Sequence, residues 1–303
     1  VNEEMLVQIE EIVGKAGVKQ DEPMKLHTTF RIGGNADIYV QPKNAEEVAE
    51  LLALCKEENF PYYIIGNGSN LLVGDKGFRG LIIEIGRNMS VIKIDKPKIT
   101  VQAGAMLSQI ANKALEEQLT GFEFASGIPG TFGGAVVMNA GAYGGEMKQI
   151  IESVTVLSQE GIIKKLSKSE LELDYRSSCI LKHNYIVLEG VIKLEQGERE
   201  DIKQRMLALK IQRIEKQPLE FPSAGSTFKR PEGHYAGKLI MDAGLRGYQI
   251  GDAQVAQKHC GFLINRKEAK ASDMLELINY IKKEVRTKFG VELETEIKIL
   301  GEF

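Results

Sequence analysis

The 303-residue chain carries 39 Lys and Arg against 42 Asp and Glu, for a net charge of −3, so nothing draws it generally to nucleic acid or to an anionic membrane surface. Its length allows two domains and a core large enough to need neither disulfide nor metal staple. The three cysteines, Cys55, Cys179 and Cys260, form no CxxC pair, and no metal-ligand spacing joins them to the four histidines (His27, His183, His234, His259). A reduced, cytoplasmic protein without a metal is expected. No apolar run is long enough to span a bilayer and no charged-then-apolar leader opens the chain, which begins on Val1 as a trimmed or altered start would.

Residues 2–16 have the spacing of an amphipathic helix, with Asn2 as cap and Met5, Leu6, Ile9, Ile12 and Val13 on one side. LHTTFRIGG (26–34) is a turn-rich entry to the strand ADIYVQP (36–42). Asn44 and Glu47 form a capping-box pattern for a helix over 45–58, which buries Val48, Leu51, Leu52 and Cys55. The strands YYIIG (62–66), LIIEI (81–85), VIKID (91–95) and ITVQAG (99–104) follow, then a helix over 106–118. ESVTVLS (152–158) and GIIKKLS (161–167) predict a hairpin, SELELDYRSSCIL (169–181) irregular chain, and YIVLEGVIKLE (185–195) a strand. The helix 200–216 carries Lys210, Arg213 and Lys216 three residues apart on one stripe, and Pro218 and Pro222 end it. Beyond it lie the apolar runs KLIMDAGL (238–245) and HCGFLIN (259–265), a helix over 272–289 capped by Ser272, and a strand over 291–300. The regular alternation of a doubly wound sheet is absent, so the class is α+β, with a boundary near residue 200: a domain over 1–200 in two lobes, 1–85 and 86–200, and a second over 201–303.

Two stretches are too rich in glycine for ordinary core. GFEFASGIPGTFGGAVVMNAGAYGG (121–145) has eight glycines and no Lys, Arg, His or Cys. Glycine is expensive to order, so this density implies backbone held close to another object, either a tightly packed crossing or a phosphorylated ligand on backbone N–H groups and a helix N-terminus. IIGNGSNLLV (64–73) could likewise bring N–H groups and short side chains onto a pyrophosphate, or be a plain turn. It is neither a P-loop nor a complete GxGxxG, since Leu71 stands at the third glycine.

Three further features have a bland and a chemical reading. Ser226, in PSAGSTFKRP (222–231), is a turn residue or a reactive hydroxyl, and no GxSxG surrounds it. Arg176, in DYRSSC, is an ion-pair partner or an anion ligand. Glu296, on the polar side of the last strand, is solvated or catalytic.

These pieces occur together and in one order. TTFRIGG (28–34), GNGSN (66–70), GIPGTFGGAVVMNAGAYG (127–144), YRSS (175–178), SAGSTFKRP (223–231) and TEIKILG (295–301) resemble the pattern of the UDP-N-acetylenolpyruvoylglucosamine reductases, the MurB family, from about residue 24 to the end. The resemblance implies a vanillyl-alcohol-oxidase-type FAD-binding domain followed by a smaller α+β substrate domain. It implies FAD held by Ile65, Gly66, Asn67, Gly68, Ser69 and Asn70, and by Gly127, Pro129, Gly130, Thr131, Gly133, Gly134, Ala135, Asn139 and Gly141. The flavin is expected to be non-covalent, because neither glycine stretch contains His or Cys. NADPH is the implied co-substrate and a UDP-sugar enolpyruvyl ether the substrate, in peptidoglycan precursor synthesis.

Ser226 matches the family's proton donor, and Arg176 and Glu296 the groups that stabilise the enolate-like intermediate. Tyr175, Lys216 and Lys229 are candidates for the substrate's diphosphate and sugar. A longer branch of the family inserts a loop whose tyrosine covers the substrate. Between Arg176 and Lys193 there is no room for it, so the chain resembles the shorter branch, with His259 the candidate replacement. A monomer is expected. Two rivals stay open: an FAD-dependent oxidase of the same fold, and a non-catalytic nucleotide-sugar binding protein.

Overall fold

The computed structural model describes residues 3–303, in two compact units. Among the described residues the first comprises 3–20, 38–67 and 80–212, and the second 21–37, 68–79 and 213–303. This differs from a single division near residue 200. The long helix Arg199–Lys216 begins in the first unit because Ile202 is buried there and Arg205 reaches Thr120 Oγ1 at 3.1 Å and Glu123 at 3.6 Å. The segments 21–37 and 68–79 join the second unit through bonds to distant chain, which the linear sequence does not announce.

In the first unit the helix Glu3–Val13 buries Met5, Ile9 and Val13, while the expected Asn2 cap lies outside the described residues. The helix Ala45–Glu57 starts as its sequence predicts: Asn44 Oδ1 accepts from Glu47 N at 2.8 Å, and Glu47 reaches back to Lys43 N. Such a cap stabilises by about 1 kcal/mol. Cys55 is core as expected, and burial pushes its thiol up to about 12.

Tyr62–Ile65 pairs in parallel with Phe78–Glu84, in a sheet that also contains Val18–Pro23 and Asn35–Val40. The larger sheet has the spatial order Ile163–Ser167, Ile151–Leu157, Ile186–Lys193, Lys98–Gln102, Ile92–Asp95. The predicted hairpin forms with Val154 opposite Leu166. The stretch 169–181 is irregular except that a short helix, Cys179–His183, begins within it.

The second unit is built on Ala271–Phe289, whose Met274, Leu277, Ile278, Ile281 and Val285 are buried with Phe30, Ile32 and Leu72. Ser272 does not cap this helix. The Asp75 carboxylate does, accepting from Ala271 N at 2.6 Å and Ser272 N at 2.9 Å. The apolar run 238–245 is helical over Ala236–Asp242, and Leu263–Asn265 pairs with Ala253–Val255. Of the expected last strand only Lys298–Leu300 is regular, lying parallel to Leu71–Val73. Among the described residues no helix is long and apolar enough to cross a membrane.

Candidate functional site

In the first unit both glycine stretches come to one place. The strand ending at Ile65 runs into Gly66, where a side chain would collide with the Thr131 hydroxyl, and Asn67 Nδ2 donates to Pro129 O at 2.9 Å. Thr131 caps the helix Phe132–Val137 through Gly134 N. That helix is pinned from both sides. Phe132 N and Gly133 N each donate at 2.8 Å, to Ala105 O and Ala103 O, and the Phe132 ring lies over Gly190 of the large sheet, 2.7 Å from where a Cβ would stand. Its first N–H groups are therefore spent inside the protein, and the anion site expected at a helix N-terminus is not formed here.

The remaining residues of this stretch divide by where they face. Gly133 sits 3.0 Å, at its would-be Cβ, from Ala103, and Ala135 is buried. Gly141 pairs with Glu146 in a small hairpin, and Asn139 is buried. Gly127, Pro129 and Gly134 are exposed and Gly130 half-exposed. A Cβ at Gly134 would meet nothing nearer than Thr131 Oγ1 at 3.6 Å, so its outer face is open backbone. Next to this stretch, Ser178 Oγ donates to Val137 O at 2.7 Å and Asn139 Nδ2 to Asp174 O at 3.2 Å. These bonds place the Tyr175–Arg176 turn beside the glycine-rich helix. Arg176 has φ +51°, a left-handed conformation that costs an ordinary side chain about 1–2 kcal/mol, and its guanidinium lies 5.1 Å from the Tyr175 ring centre.

The second unit holds the rest of the first glycine loop. Gly68, at φ +58°, is pressed against the His27 carbonyl so closely that no Cβ fits, and its own carbonyl accepts from Thr29 N at 3.2 Å. Asn70 Nδ2 donates to Glu296 O at 3.1 Å, and Glu296 N donates to Thr227 O at 2.8 Å. Ser226 is exposed and bridges Phe262, while Thr227 N donates to Gly261 O at 2.9 Å. Gly261 N in turn donates to His259 Nδ1 at 3.1 Å, so His259 accepts as a neutral ring. Ser226, Glu296, Asn70 and His259 are thus linked through a few backbone bonds. Lys229 Nζ pairs with Glu294 at 2.9 Å, and Lys216 is exposed at its helix end.

The model described as UDP-N-acetylenolpyruvoylglucosamine reductase, C-terminal domain, matches residues 217–300, and that described as FAD binding domain matches residues 36–167. A UDP-N-acetylenolpyruvoylglucosamine reductase of Agathobacter rectalis is 51% identical over 315 residues, covering 100% of both chains.

The chain belongs to the UDP-N-acetylenolpyruvoylglucosamine reductase family.

The crystal structure of the family member from Thermus caldophilus superposes with a TM-score of 0.78 at 34% identity, over 92% of this chain and 97% of that one. An alkyldihydroxyacetonephosphate synthase, 17% identical with a TM-score of 0.50 over 65% of this chain and 41% of its own, shares the fold alone.

The residues present fit the FAD that this reductase fold carries. In the second unit none of the N–H groups of Gly68, Ser69 and Asn70 donates to a backbone carbonyl among the described residues, which leaves donors suited to pyrophosphate oxygens. Thr29 Oγ1 is buried and has no hydrogen-bond partner among the described residues, although its own N–H holds Gly68. An orphaned hydroxyl costs roughly 1–3 kcal/mol, and an acceptor supplied by a ligand removes that cost. TTFRIGG is one of the family motifs, but its sequence gives Thr29 no role. A threonine in a turn looks like any local cap, and its orphaned state is visible only once the chain is folded.

Proposed function

We infer that this chain reduces the enolpyruvyl ether of UDP-N-acetylglucosamine to the lactyl ether, giving UDP-N-acetylmuramate for peptidoglycan, with NADPH as reductant. Bound FAD supplies the relay of hydride from NADPH to the substrate's C3. The Gly66–Asn70 N–H groups hold the FAD pyrophosphate, and the open face at Gly134 lets the cofactor approach backbone. Non-covalent binding follows from the absence of His and Cys from residues 64–73 and 121–145.

The other roles belong to side chains. Hydride addition beside a carboxylate gathers negative charge there. The Arg176 guanidinium stabilises it as a fixed cation, and Glu296 as a hydrogen-bond donor, a role open to a carboxyl only when protonated. Ser226 delivers the proton to C2. Serine is a weak acid in water, so this role needs an exposed hydroxyl on backbone that is itself held, as the bonds of Thr227 to Gly261 and Glu296 provide. Tyr175, Lys216, Lys229 and His259 are assigned to the substrate's diphosphate and sugar. For Lys229 this means leaving Glu294, an exposed pair of small strength. We assign the work to a cytoplasmic monomer with no nucleic-acid or membrane partner.

The observation that supports this reading best is the chain of bonds from Asn70 to Glu296 to Thr227, because it puts the end of the phosphate loop beside the Ser226 motif within one unit. An anaerobic spectral titration tests it. NADPH bleaches the flavin, and the enolpyruvyl substrate restores the oxidised spectrum without oxygen. Restoration by oxygen alone would favour the oxidase reading, and a colourless protein the binding-protein reading.

A further inference from the structure

Asn139 was expected among the cofactor ligands, but its surroundings point to a different task. It follows the helix Phe132–Val137 at φ +40°, with Ala140 N donating to Ala135 O at 2.8 Å and Asn139 N to Val136 O at 3.1 Å. These are the two bonds of a Schellman cap, in which the residue at this position needs a left-handed backbone and no side chain. Glycine would satisfy it, and an asparagine present for its backbone alone could leave its amide in water.

The Asn139 amide is instead buried, at 1% exposure, with every polar atom used. Nδ2 donates to Glu146 Oε2 at 3.0 Å and to Asp174 O at 3.2 Å, and Oδ1 accepts from Lys148 N at 2.9 Å. Both Nδ2 hydrogens are spent and Oδ1 is engaged, so the amide has no donor left for a ligand. Asp174 is the base of the turn that carries Tyr175 and Arg176: Asp174 N and Ser177 N each bond the other's carbonyl at 3.1 Å, and Asp174 Oδ1 accepts from Tyr175 N at 2.8 Å. The left-handed Arg176 sits at the tip of this turn, in a conformation that persists only where surrounding bonds hold it.

We propose that Asn139 is a positioning residue, which ties the turn bearing Arg176 to the C-terminal end of the glycine-rich helix and so sets Arg176 relative to the flavin. This rests on the reductase reading for its consequence in turnover, but not for its structural content.

Asn139→Gly keeps the left-handed cap and removes the tether to Asp174 O, leaving only the bond of Ser178 Oγ to Val137 O between this turn and the helix. Amide hydrogen exchange of Tyr175, Arg176 and Ser177 is expected to speed at least tenfold, while that of Phe132–Val137 stays within about twofold. Flavin occupancy and flavin reduction by NADPH are expected to be retained. Reoxidation by the enolpyruvyl substrate falls tenfold or more, and the same substitution in Arg176→Ala adds less than twofold. A second variant guards against general loosening. Asn139→Asp combined with Glu146→Gln exchanges donor and acceptor at that pair and keeps an acceptor for Lys148 N, yet leaves nothing to donate to Asp174 O. It should reproduce the faster exchange at the turn. Unchanged exchange there, loss of flavin with the turn intact, additive effects with Arg176→Ala, or failure of both variants to fold would each overturn the proposal. If the unaltered protein is not reoxidised by the enolpyruvyl substrate, the reductase reading fails, and the exchange measurement still decides the role of Asn139.

Discussion

The Asn67 amide donates to the Pro129 carbonyl across 2.9 Å, joining two glycine loops that stand 62 positions apart in the chain. Gly66, where a Cβ would meet the Thr131 hydroxyl, packs the same two loops together.

Gly134 has an open outer face, so its substitution separates ligand from fold. Alanine there meets only Thr131 Oγ1, at 3.6 Å, and removes a glycine from a helix, a change worth about 0.5–1 kcal/mol in favour of the folded protein. Gly134→Ala should leave the flavin-free protein at least as resistant to heat as before while weakening flavin affinity tenfold or more. A melting curve and a flavin-fluorescence titration on the same preparation check both halves. Undiminished affinity would show that FAD does not approach this face.

Asp75 acts at a distance of 196 positions, as the cap of the helix Ala271–Phe289. Burial pushes its carboxyl up, but the Ser272 hydroxyl and the Ser272 and Ala271 N–H groups outweigh that, with help from the Lys270 charge, and the net shift is downward. A depressed carboxyl stabilises the fold above its unfolded pKa of about 4, and the contribution is lost as pH falls through the folded value. Asp75→Ala should therefore cost about 0.5–2 kcal/mol at pH 7 and progressively less in acid. Urea midpoints of the two proteins at pH 7 and at about pH 3, below the unfolded carboxyl value, measure the difference, and a cost equal at both would contradict it.

His259 has the opposite chemistry and the same sign. Desolvation lowers its pKa from the ordinary 6.5, and Nδ1 accepts from Gly261 N. The neutral ring therefore stabilises the fold above 6.5, and that contribution is lost as pH falls through the depressed folded value. The stability gap between the unaltered protein and His259→Gln should narrow on acidification from pH 7.5 to 5.5. A gap constant with pH would mean that His259 does not titrate in this environment.

What could be read from the chain divides by range. Asn44 with Glu47 announced a helix start correctly, because both partners of the cap lie within four residues. Ser272 misled for the same reason: it is the local candidate, whereas the working cap is Asp75, and no local pattern records a carboxylate brought from so far away. The glycine motifs were legible as close-approach backbone, yet the consumption of the Phe132 and Gly133 N–H groups by Ala105 and Ala103 was not. The membership of residues 21–37 in the second unit was hidden likewise. It depends on bonds such as Asn265 Nδ2 to Phe30 O at 3.1 Å, between residues that look unremarkable singly.

Ser226 offers the most direct test, because the proposed turnover divides into two half-reactions and this hydroxyl is assigned to only one. NADPH reduces the flavin without any proton reaching substrate carbon, so Ser226→Ala should bleach at close to the normal rate in an anaerobic stopped-flow trace. Reoxidation by the enolpyruvyl substrate needs C2 protonation and should slow by about 10²–10⁴, or roughly 3–5 kcal/mol of barrier. If both half-reactions slow equally, or neither does, Ser226 is only a turn residue and the assignment of proton delivery to it is wrong.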